Sequence, residues 1–278
     1  MDTVFWVAPL TSNWNNINNW SLISGGPGGA PVPGLTKIVV FDQSGTGNCL
    51  IDAPVGVYDL NLVSGFTGKI SQNSYPITVI NDASFMSGTF EGGSASVSLK
   101  NFYLYRTDCT STSDVLHIKG EFYFKEDSTS VFIHNEGQTS FDTSGNSAFM
   151  GGIRFKNLIV QDGGSYLNID SSCFVEGSLS LESGYLLKNS DATVHVQEDM
   201  TSYSDFGRSG TGCAIMFDSI GPQDLLYNGG ILPTLIVNKQ VSDHVRVYGN
   251  DPLQIDGDLV ILDGTFNTNN HDVFVGIL

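Results

Sequence analysis

The sequence contains 278 residues, of which 40% are hydrophobic and 15% are charged, and 32 are glycine. This length suits one long β-domain or two smaller ones, and the aromatic content with low charge excludes a disordered chain. The formal net charge is −17, with only 12 lysines and arginines. Because phosphate binding needs clustered basic side chains, this charge argues against nucleic acid as a partner.

The N-terminal segment MDTVFWVAPLTSNW lacks the basic region, apolar stretch and small-residue cleavage site of a secretory signal peptide. Elsewhere, no run approaches the roughly 20 consecutive apolar residues that span a membrane as a helix. We therefore expect a chain that is made in the cytosol and is not inserted into a membrane.

Residues 1–42 form a distinctive head that holds all three tryptophans, Trp6, Trp14 and Trp20, and a glycine–proline segment at 24–34. Two interpretations are open. In the first, the indoles cap the end of a core. In the second, they form an aromatic platform that contacts carbohydrate or another partner. The sequence favours the cap, because a stack of strands needs a covered end to avoid edge pairing.

The head also carries a recognisable order of residues: a tryptophan, an Asn-Trp pair, a Trp-Ser pair, a Ser-Gly-Gly run, a proline and a strand ending in Phe-Asp. The matching residues are Trp6, Asn13, Trp14, Asn19, Trp20, Ser21, Ser24, Gly25, Gly26, Gly28, Gly29, Pro33, Val39, Val40, Phe41 and Asp42. This pattern resembles one in phage virion proteins (fibre or decoration) and in bacterial β-solenoid surface adhesins. The resemblance implies an extracellular or virion structural role and brings no catalytic residues.

Residues 43–278 form a body whose apolar residues alternate with polar ones. In the stretch 253–275 the alternation is interrupted by Gly257 and Gly264, and a period of two with glycine breaks indicates strands. A similar stretch lies at 174–196, where Gly177 precedes Gly257 by 80 residues. We therefore expect a repeat of roughly 80 residues in the last two blocks.

A looser copy of the same pattern begins at Leu116, with Gly120 in the place of the repeated glycine. Repeat units near 115–134, 153–196 and 234–275 together predict an all-β fold, a β-solenoid or parallel β-helix-like stack. A β-sandwich or jelly roll for part of the chain is the alternative, because Asn228-Gly229 is a hairpin signal.

The four cysteines are widely separated and include no CxxC pair, which argues against a zinc site. Buried free thiols are the expected state, although the sequence also permits two disulfides. The four are Cys49, Cys109, Cys173 and Cys213.

The five histidines are not spaced as metal ligands. Those within alternating strands, His117, His134 and His195, are expected to point outward from the core. The segment IDGDLVILDG, which contains residues 256–263, has three aspartates. It lacks the order of acidic residues that a calcium-binding loop requires and the glutamate at the end of such a loop. We expect neither a metal nor a cofactor.

Paired carboxylates are the remaining feature that would indicate an enzyme. Stacked β-helices that cleave polysaccharides carry acidic residues on adjacent coils, and glycosidases need two carboxyl groups at a set separation. The candidates are Asp170, Glu176, Glu182, Asp256, Asp258 and Asp263. Polar residues are required at the turns of any soluble solenoid, so we expect no catalytic residue and no enzymatic activity.

The sequence as a whole predicts a non-enzymatic structural and attachment protein of a virion, such as a phage fibre, decoration or tail-associated component. We expect association with other virion proteins or with itself, a homotrimer being one arrangement, and a host-surface glycan is a further candidate partner. The first alternative is a secreted bacterial surface adhesin or glycan-binding module located at the cell surface. The second is a polysaccharide-degrading β-helix enzyme.

Overall fold

The structure is a computed structural model that describes residues 1–125, 130–142, 147–150, 152–169, 171–188, 192–207 and 213–276. It is a β-solenoid with 53% of residues in strands and about 10 turns, which confirms the predicted fold class. The chain divides into two compact units, Met1–Gln138 (unit 1) and Thr139–Leu278 (unit 2). Within the described ranges, the only helical segment is a 3-10 turn at Ile17–Asn19.

Unit 1 is built from three ladders of parallel strands. The strands are β1 (Asp2–Trp6), β2 (Ser12–Asn13), β3 (Trp20–Ser21), β4 (Lys37–Phe41), β5 (Cys49–Leu50), β6 (Val55–Val57), β7 (Asp59–Leu62), β8 (Lys69–Ser71), β9 (Ile77–Phe85), β10 (Thr89–Glu91), β11 (Val97–Leu104), β12 (Asp108–Thr110), β13 (Val115–Ile118), β14 (Phe122–Lys125) and β15 (Val131–Ile133). One ladder runs β6–β9–β11–β13 and a second runs β1–β4–β7–β9–β11–β14. The third runs β2–β5–β8–β10–β12–β15.

Unit 2 continues with strands of the same kind. They are β16 (Gln138–Phe141), β17 (Ser147–Met150), β18 (Arg154–Phe155), β19 (Asn157–Ile169), β20 (Cys173–Val175), β21 (Leu179–Lys188), β22 (Thr193–Val196), β23 (Met200–Phe206), β24 (Ala214–Phe217), β25 (Gln223–Asn228), β26 (Leu235–Asn238), β27 (His244–Gly249), β28 (Leu253–Ile255), β29 (Leu259–Asp263), β30 (Thr265–Asn267) and β31 (Val273–Val275). Strands β18–β20–β22–β24–β26–β29 form one six-stranded parallel sheet, the lateral sheet. A second parallel ladder runs β19–β21–β23–β25–β27–β30.

The alternation of the sequence becomes a set of side-chain columns, because residues two apart in a strand face the same side. In unit 1, the register partners Phe41, Leu62, Phe85, Leu104 and Phe124 follow one another from coil to coil, and all five are buried. Stacked apolar columns of this kind form the core. The parallel pairing argues against a jelly roll, since among the described pairings within β1–β15 only that of β1 with β3 is antiparallel, and the described pairings within β17–β31 are all parallel.

The glycines that mark the predicted repeat occupy corners where consecutive coils approach closely. A Cβ added at Gly120 or Gly177 would lie 2.4 Å from the Oδ1 atom of Asn101 or Asn157, respectively. Each of these Asn side chains accepts a backbone N–H at the next corner, from Glu121 (3.0 Å, 20 residues on) and from Ser178 (3.0 Å, 21 residues on). Only glycine leaves room for this contact.

The predicted 80-residue period is wrong as a structural repeat. Leu179 on β21 pairs with Met200, whereas Leu259, 80 residues later, pairs with Leu235 in the lateral sheet. The two stretches therefore lie on different ladders, and their similarity reflects a strand–glycine corner that occurs more than once in each coil. The true period is one coil of about 20 residues, as the contacts of Asn101 and Asn157 indicate.

The head does not separate from the body at residue 42 in the way that the sequence suggests. Strand β4 pairs in parallel with β1 on one side and with β7 on the other, so the head belongs to unit 1. Strand β3 pairs antiparallel with β1, Trp6 lying opposite Trp20. This pairing covers an edge of β1 and ends the parallel order there.

The four cysteines are buried free thiols, as predicted, and form no disulfide. Burial raises the pKa of the Cys49, Cys109 and Cys173 thiols, because a thiolate is disfavoured in an apolar interior. A neutral, inaccessible thiol is a poor nucleophile.

We expect Gly177→Ala to lower the free energy of unfolding by about 1–3 kcal/mol, because the new methyl group collides with Asn157 and the buried corner must shift. Gly34→Ala is the matched control, since nothing lies within 4 Å of a Cβ at that position, and we expect a change within about 0.5 kcal/mol. Urea unfolding followed by circular dichroism measures both. Equal stability of the two variants would contradict the corner contact.

We also expect the thiols of the native protein to be unreactive towards Ellman's reagent at pH 8. In the denatured protein, the absorbance should correspond to four reacted thiols. The raised pKa values keep the thiols protonated at that pH in the folded state. Rapid reaction of the native protein, or fewer than four thiols after denaturation without reductant, would contradict this state of the cysteines.

Candidate functional site

The three tryptophans are buried, with relative exposures of 0% for Trp6, 3% for Trp14 and 0% for Trp20. Their rings contact one another edge to face, and the indole N–H groups of Trp6 and Trp20 donate to the carbonyls of Gly47 (2.9 Å) and Trp14 (2.7 Å). A sugar ring cannot reach an indole that the core covers. The predicted carbohydrate or partner contact at these residues is therefore wrong, and the burial agrees with the cap interpretation.

An outward column of the lateral sheet, which we call the Phe174 row, is the first candidate for a contact surface. Its register partners are Arg154, Phe174, His195, Met216, Ile236 and Val260. The neighbouring residues on the same strands, such as Val175 and Phe217, are buried in the core, whereas the row is partly exposed. Six strands spaced by about 4.8 Å give the row a length of about 24 Å.

Side-chain stacking orders one end of the Phe174 row. The guanidinium carbon of Arg154 lies 4.5 Å from the centroid of the Phe174 ring, and the rings of Phe174 and His195 stack at 4.6 Å with an interplanar angle of 23°. Both faces of Phe174 are thereby covered. The row is therefore a pre-formed, rigid strip, in which the Phe174 ring has no free face on which a sugar could stack.

Two carboxylates beside this strip contact side chains of another coil. Glu176 forms an ion pair with Arg154 (Oε1–Nη1 3.1 Å), and Asp218 forms a hydrogen bond with His195 (Oδ2–Nδ1 2.6 Å). The other oxygen of Asp218 is buried and has no hydrogen-bond partner among the described residues. At the far end of the lateral sheet, Asp263 on β29 is exposed.

A buried lysine holds the neighbouring corner. Lys239 is 2% exposed, and its Nζ donates to the Ser219 carbonyl (2.8 Å) and to Gln223 Oε1 (2.6 Å). Burial lowers the pKa of Lys239, while Asp243 and Asp218 act in the opposite direction. The Gln223 amide in turn donates to the Val196 carbonyl (2.9 Å), so this polar group joins several coils and serves the structure.

Unit 1 presents a tyrosine cluster on one outward face. Phe102 and Leu104 point into the core, while Tyr103 and Tyr105, which alternate with them, are half-exposed. Tyr105 stacks on Tyr123 at 5.0 Å, and the hydroxyl of Tyr103 donates to Glu121 (2.8 Å). Burial, with this hydrogen bond, raises the pKa of Tyr103.

An open cleft of about 400 Å³ lies in the last coils of unit 2. Its lining residues are Ser242, His244, Thr265, Phe266, Asn267 and Thr268. On β30, Thr265 and Asn267 share the outward face of their register partners His244 and Arg246, whereas Phe266 shares the inward face of the buried Val245. The cleft contains no carboxylate, lysine or arginine among its lining side chains.

Two of the candidate carboxylates, Glu176 and Asp263, lie far apart in the lateral sheet. Glu176 follows β20, whereas Asp263 ends β29, and β22, β24 and β26 lie between them in the lateral sheet. Four strand spacings amount to about 19 Å, which exceeds the separation of about 5–9.5 Å in glycosidases. Glu182 lies on β21, in a different ladder, and Asp170 lies outside the described residues.

His117 on β13 and His195 on β22 are half-buried at outward-facing strand positions, as expected. His134 is also half-buried, but it follows β15 (Val131–Ile133) and does not lie on a strand. Among the described residues, no group of three or more His, Cys, Asp or Glu side chains is arranged to hold a metal ion. Nor does any helix in the described ranges have the length and hydropathy needed to cross a membrane.

No protein-family model matches this chain, and neither the curated proteins nor the solved structures gave a match. We therefore infer the function from one surface of unit 2, the Phe174 row. Sequence reasoning missed both the row and the cleft, although outward residues about 20 positions apart, such as Phe174 and His195, are the signal that would have pointed to the row.

We expect the tryptophan emission of the native protein to be blue-shifted, weakly quenched by acrylamide, and unchanged by millimolar neutral or anionic sugars, because all three indoles lie in the core. N-acetyltryptophanamide is the control for full quenching. Quenching near that of the control, or an emission change on adding sugar, would instead support the interpretation of the tryptophans as an exposed aromatic platform.

Proposed function

We propose that this protein is a non-enzymatic structural and attachment protein that associates with further copies of itself through the Phe174 row. The N-terminal pattern resembles both phage virion proteins and bacterial surface adhesins, and of these we propose a virion component, such as a fibre, decoration or tail-associated protein, with a secreted adhesin as the alternative. Coil-to-coil parallel ladders around stacked apolar columns support a mechanical role, since each coil is held by both neighbours.

The observation that carries this proposal is the outward strip of partly exposed apolar side chains on the lateral sheet, with the Arg154–Glu176 ion pair at one end. Copies of a chain with net charge −17 repel one another. Close approach is least unfavourable where a carboxylate is already paired with a cation, as Glu176 is with Arg154. The apolar part of the row, Met216 to Val260, then supplies surface to bury.

Closed rotational symmetry suits such a face. Identical rows brought together about a two-fold or three-fold axis bury the same residues in every copy and leave no open contact. The rigid stacking of Arg154, Phe174 and His195 lowers the entropy lost on association, because these side chains are already ordered.

The spacing of the candidate acids supports a role without catalysis. Glu176 and Asp263 lie too far apart for glycoside cleavage, and Glu176 is engaged by Arg154. A polysaccharide-degrading enzyme would need two carboxyls within about 9.5 Å across a groove.

We expect light scattering to give a native mass of a small multiple of the chain's 29.9 kDa. Ile236→Glu and Met216→Glu should reduce it to that of a monomer, because each places an unpaired carboxylate in the row. Val241→Glu is the matched control, since Val241 is 84% exposed and lies off the row, and the oligomer should persist. A monomeric wild-type protein, or an Ile236→Glu variant of unchanged mass and intact circular dichroism, would overturn the proposed association.

The location is tested separately by mass spectrometry of fractions from the source culture. Presence of the chain in purified particles supports the virion proposal. Its presence in the cell-envelope fraction alone would instead identify a surface adhesin.

A further inference from the structure

We propose that protonation of His195 strengthens the association of copies through the Phe174 row, so that the row assembles more tightly in mild acid than at neutral pH. This inference names the regulation of that contact surface and rests on the proposed function. The geometry that carries it is a contact inside the row, between the imidazole of His195 and the carboxylate of Asp218.

His195 lies within the row and is held there by its neighbours. Its register partners are Phe174 on one side and Met216 on the other. Its ring stacks on Phe174 at 4.6 Å, and its Nδ1 atom lies 2.6 Å from Asp218 Oδ2. The side chains of His195 and Asp218 are only 18% and 21% exposed, so a copy that covers the row also covers what remains open of this pair.

The pair carries one negative charge while the imidazole is neutral. Because a carboxylate only accepts hydrogen bonds, the Nδ1 atom of His195 carries the hydrogen and donates it to Asp218 Oδ2 in that state. A proton gained at the other ring nitrogen, Nε2, turns the hydrogen bond into an ion pair and brings the sum of the two charges to zero. Histidine is the side chain whose charge ordinarily changes between about pH 5 and 8, so mild acidification is the condition that makes this change.

The charged groups on the Arg154 side of His195 are matched with one another. The guanidinium of Arg154 lies over the Phe174 ring and is engaged by Glu176 (3.1 Å). Glu198, which follows the strand of His195, lies 4.0 Å from the ammonium of Lys156. Each of these carboxylates therefore has a cation of its own, and neither cation is left over for Asp218.

The charged groups on the Asp218 side do not balance at neutral pH. The buried ammonium of Lys239 interacts with the charges of both Asp218 and Asp243, and one cation offsets only one of two carboxylates. Asp243 also accepts the backbone N–H of Gly221 (2.9 Å). The remaining negative charge is the one that a protonated His195 neutralises.

Covering this pair is costly as long as its charge is unbalanced. The second oxygen of Asp218 is buried and accepts no hydrogen bond from the described residues, and enclosing an unmatched carboxylate costs more than enclosing an ion pair. Identical rows brought together about a symmetry axis also place the same charge of each copy near that of its mate. Protonation of His195 removes both costs. The associated form therefore holds this proton more tightly than the free chain, and a fall in pH shifts the equilibrium towards association.

The test is a dilution series of the full chain by analytical ultracentrifugation at about pH 7.5 and about pH 5.5, in about 0.15 M salt, where charges more than about 8 Å apart are largely screened. We expect the dissociation constant of the wild-type oligomer to be about tenfold lower in acid. A change of this size corresponds to one charge pair about 10 Å apart at an effective dielectric constant of about 20.

Two variants assign the effect to the pair. Asp218→Asn keeps the side-chain shape and removes the charge, so it should associate at neutral pH as tightly as the wild-type protein does in acid, with little further response to pH. His195→Gln stays neutral and should lose the strengthening in acid. His244→Gln is the matched control, since His244 is a half-buried outward histidine on β27, in the other ladder, and this variant should keep the full response. Circular dichroism checks each fold, and Asp218→Asn decides the matter if His195→Gln does not fold.

The inference is overturned by equal dissociation constants of the wild-type protein at the two pH values, by weaker association in acid, or by a full acid response in His195→Gln. An oligomer that does not respond to pH would leave the proposed association in place and remove only its regulation. A wild-type chain that is monomeric at both pH values would remove the association and this inference together.

Discussion

The parallel backbone ladder between coils is the constraint on which the rest of the molecule depends. Each strand can pair with the next coil only if both have the same direction and register, so residues of one kind must return at each turn. The buried column from Phe41 through Phe85 to Phe124 is one consequence. Outward columns obey the same rule, which is how Phe174, His195 and the residues that follow them come to form one continuous strip.

A ladder of this kind leaves an unpaired edge, and the use of the tryptophans follows from that edge. In unit 1, strand β3 covers β1 in the antiparallel sense, and the large indoles fill the space behind it. Trp6 and Trp20 each also satisfy a backbone carbonyl through the indole N–H. Their chemistry would suit sugar binding, but these indoles are buried and cover the core instead.

The alternation of apolar residues was enough to predict the strands, because it depends on neighbours within a few positions. The recurrence of a strand–glycine unit then indicated a solenoid, and the burial of the four thiols was also predicted correctly. Register was not predictable in that way. Hydrogen bonds between coils span 19 residues at Thr112 and Gly93 but 25 at Asp224 and Asp199. With coils of unequal length, a repeated strand–glycine pattern does not reveal which ladder it joins, so the 80-residue match was misleading. Neither the Phe174 row nor the cleft can be assembled from sequence without that register.

Charge explains why the Phe174 row is the face that we propose for association. The net charge of −17 opposes contact between copies of the chain. In the row, Arg154 offsets the charge of Glu176, and the side chains from Met216 to Val260 are apolar. Contact through the row would therefore bury apolar surface while bringing few unpaired carboxylates together.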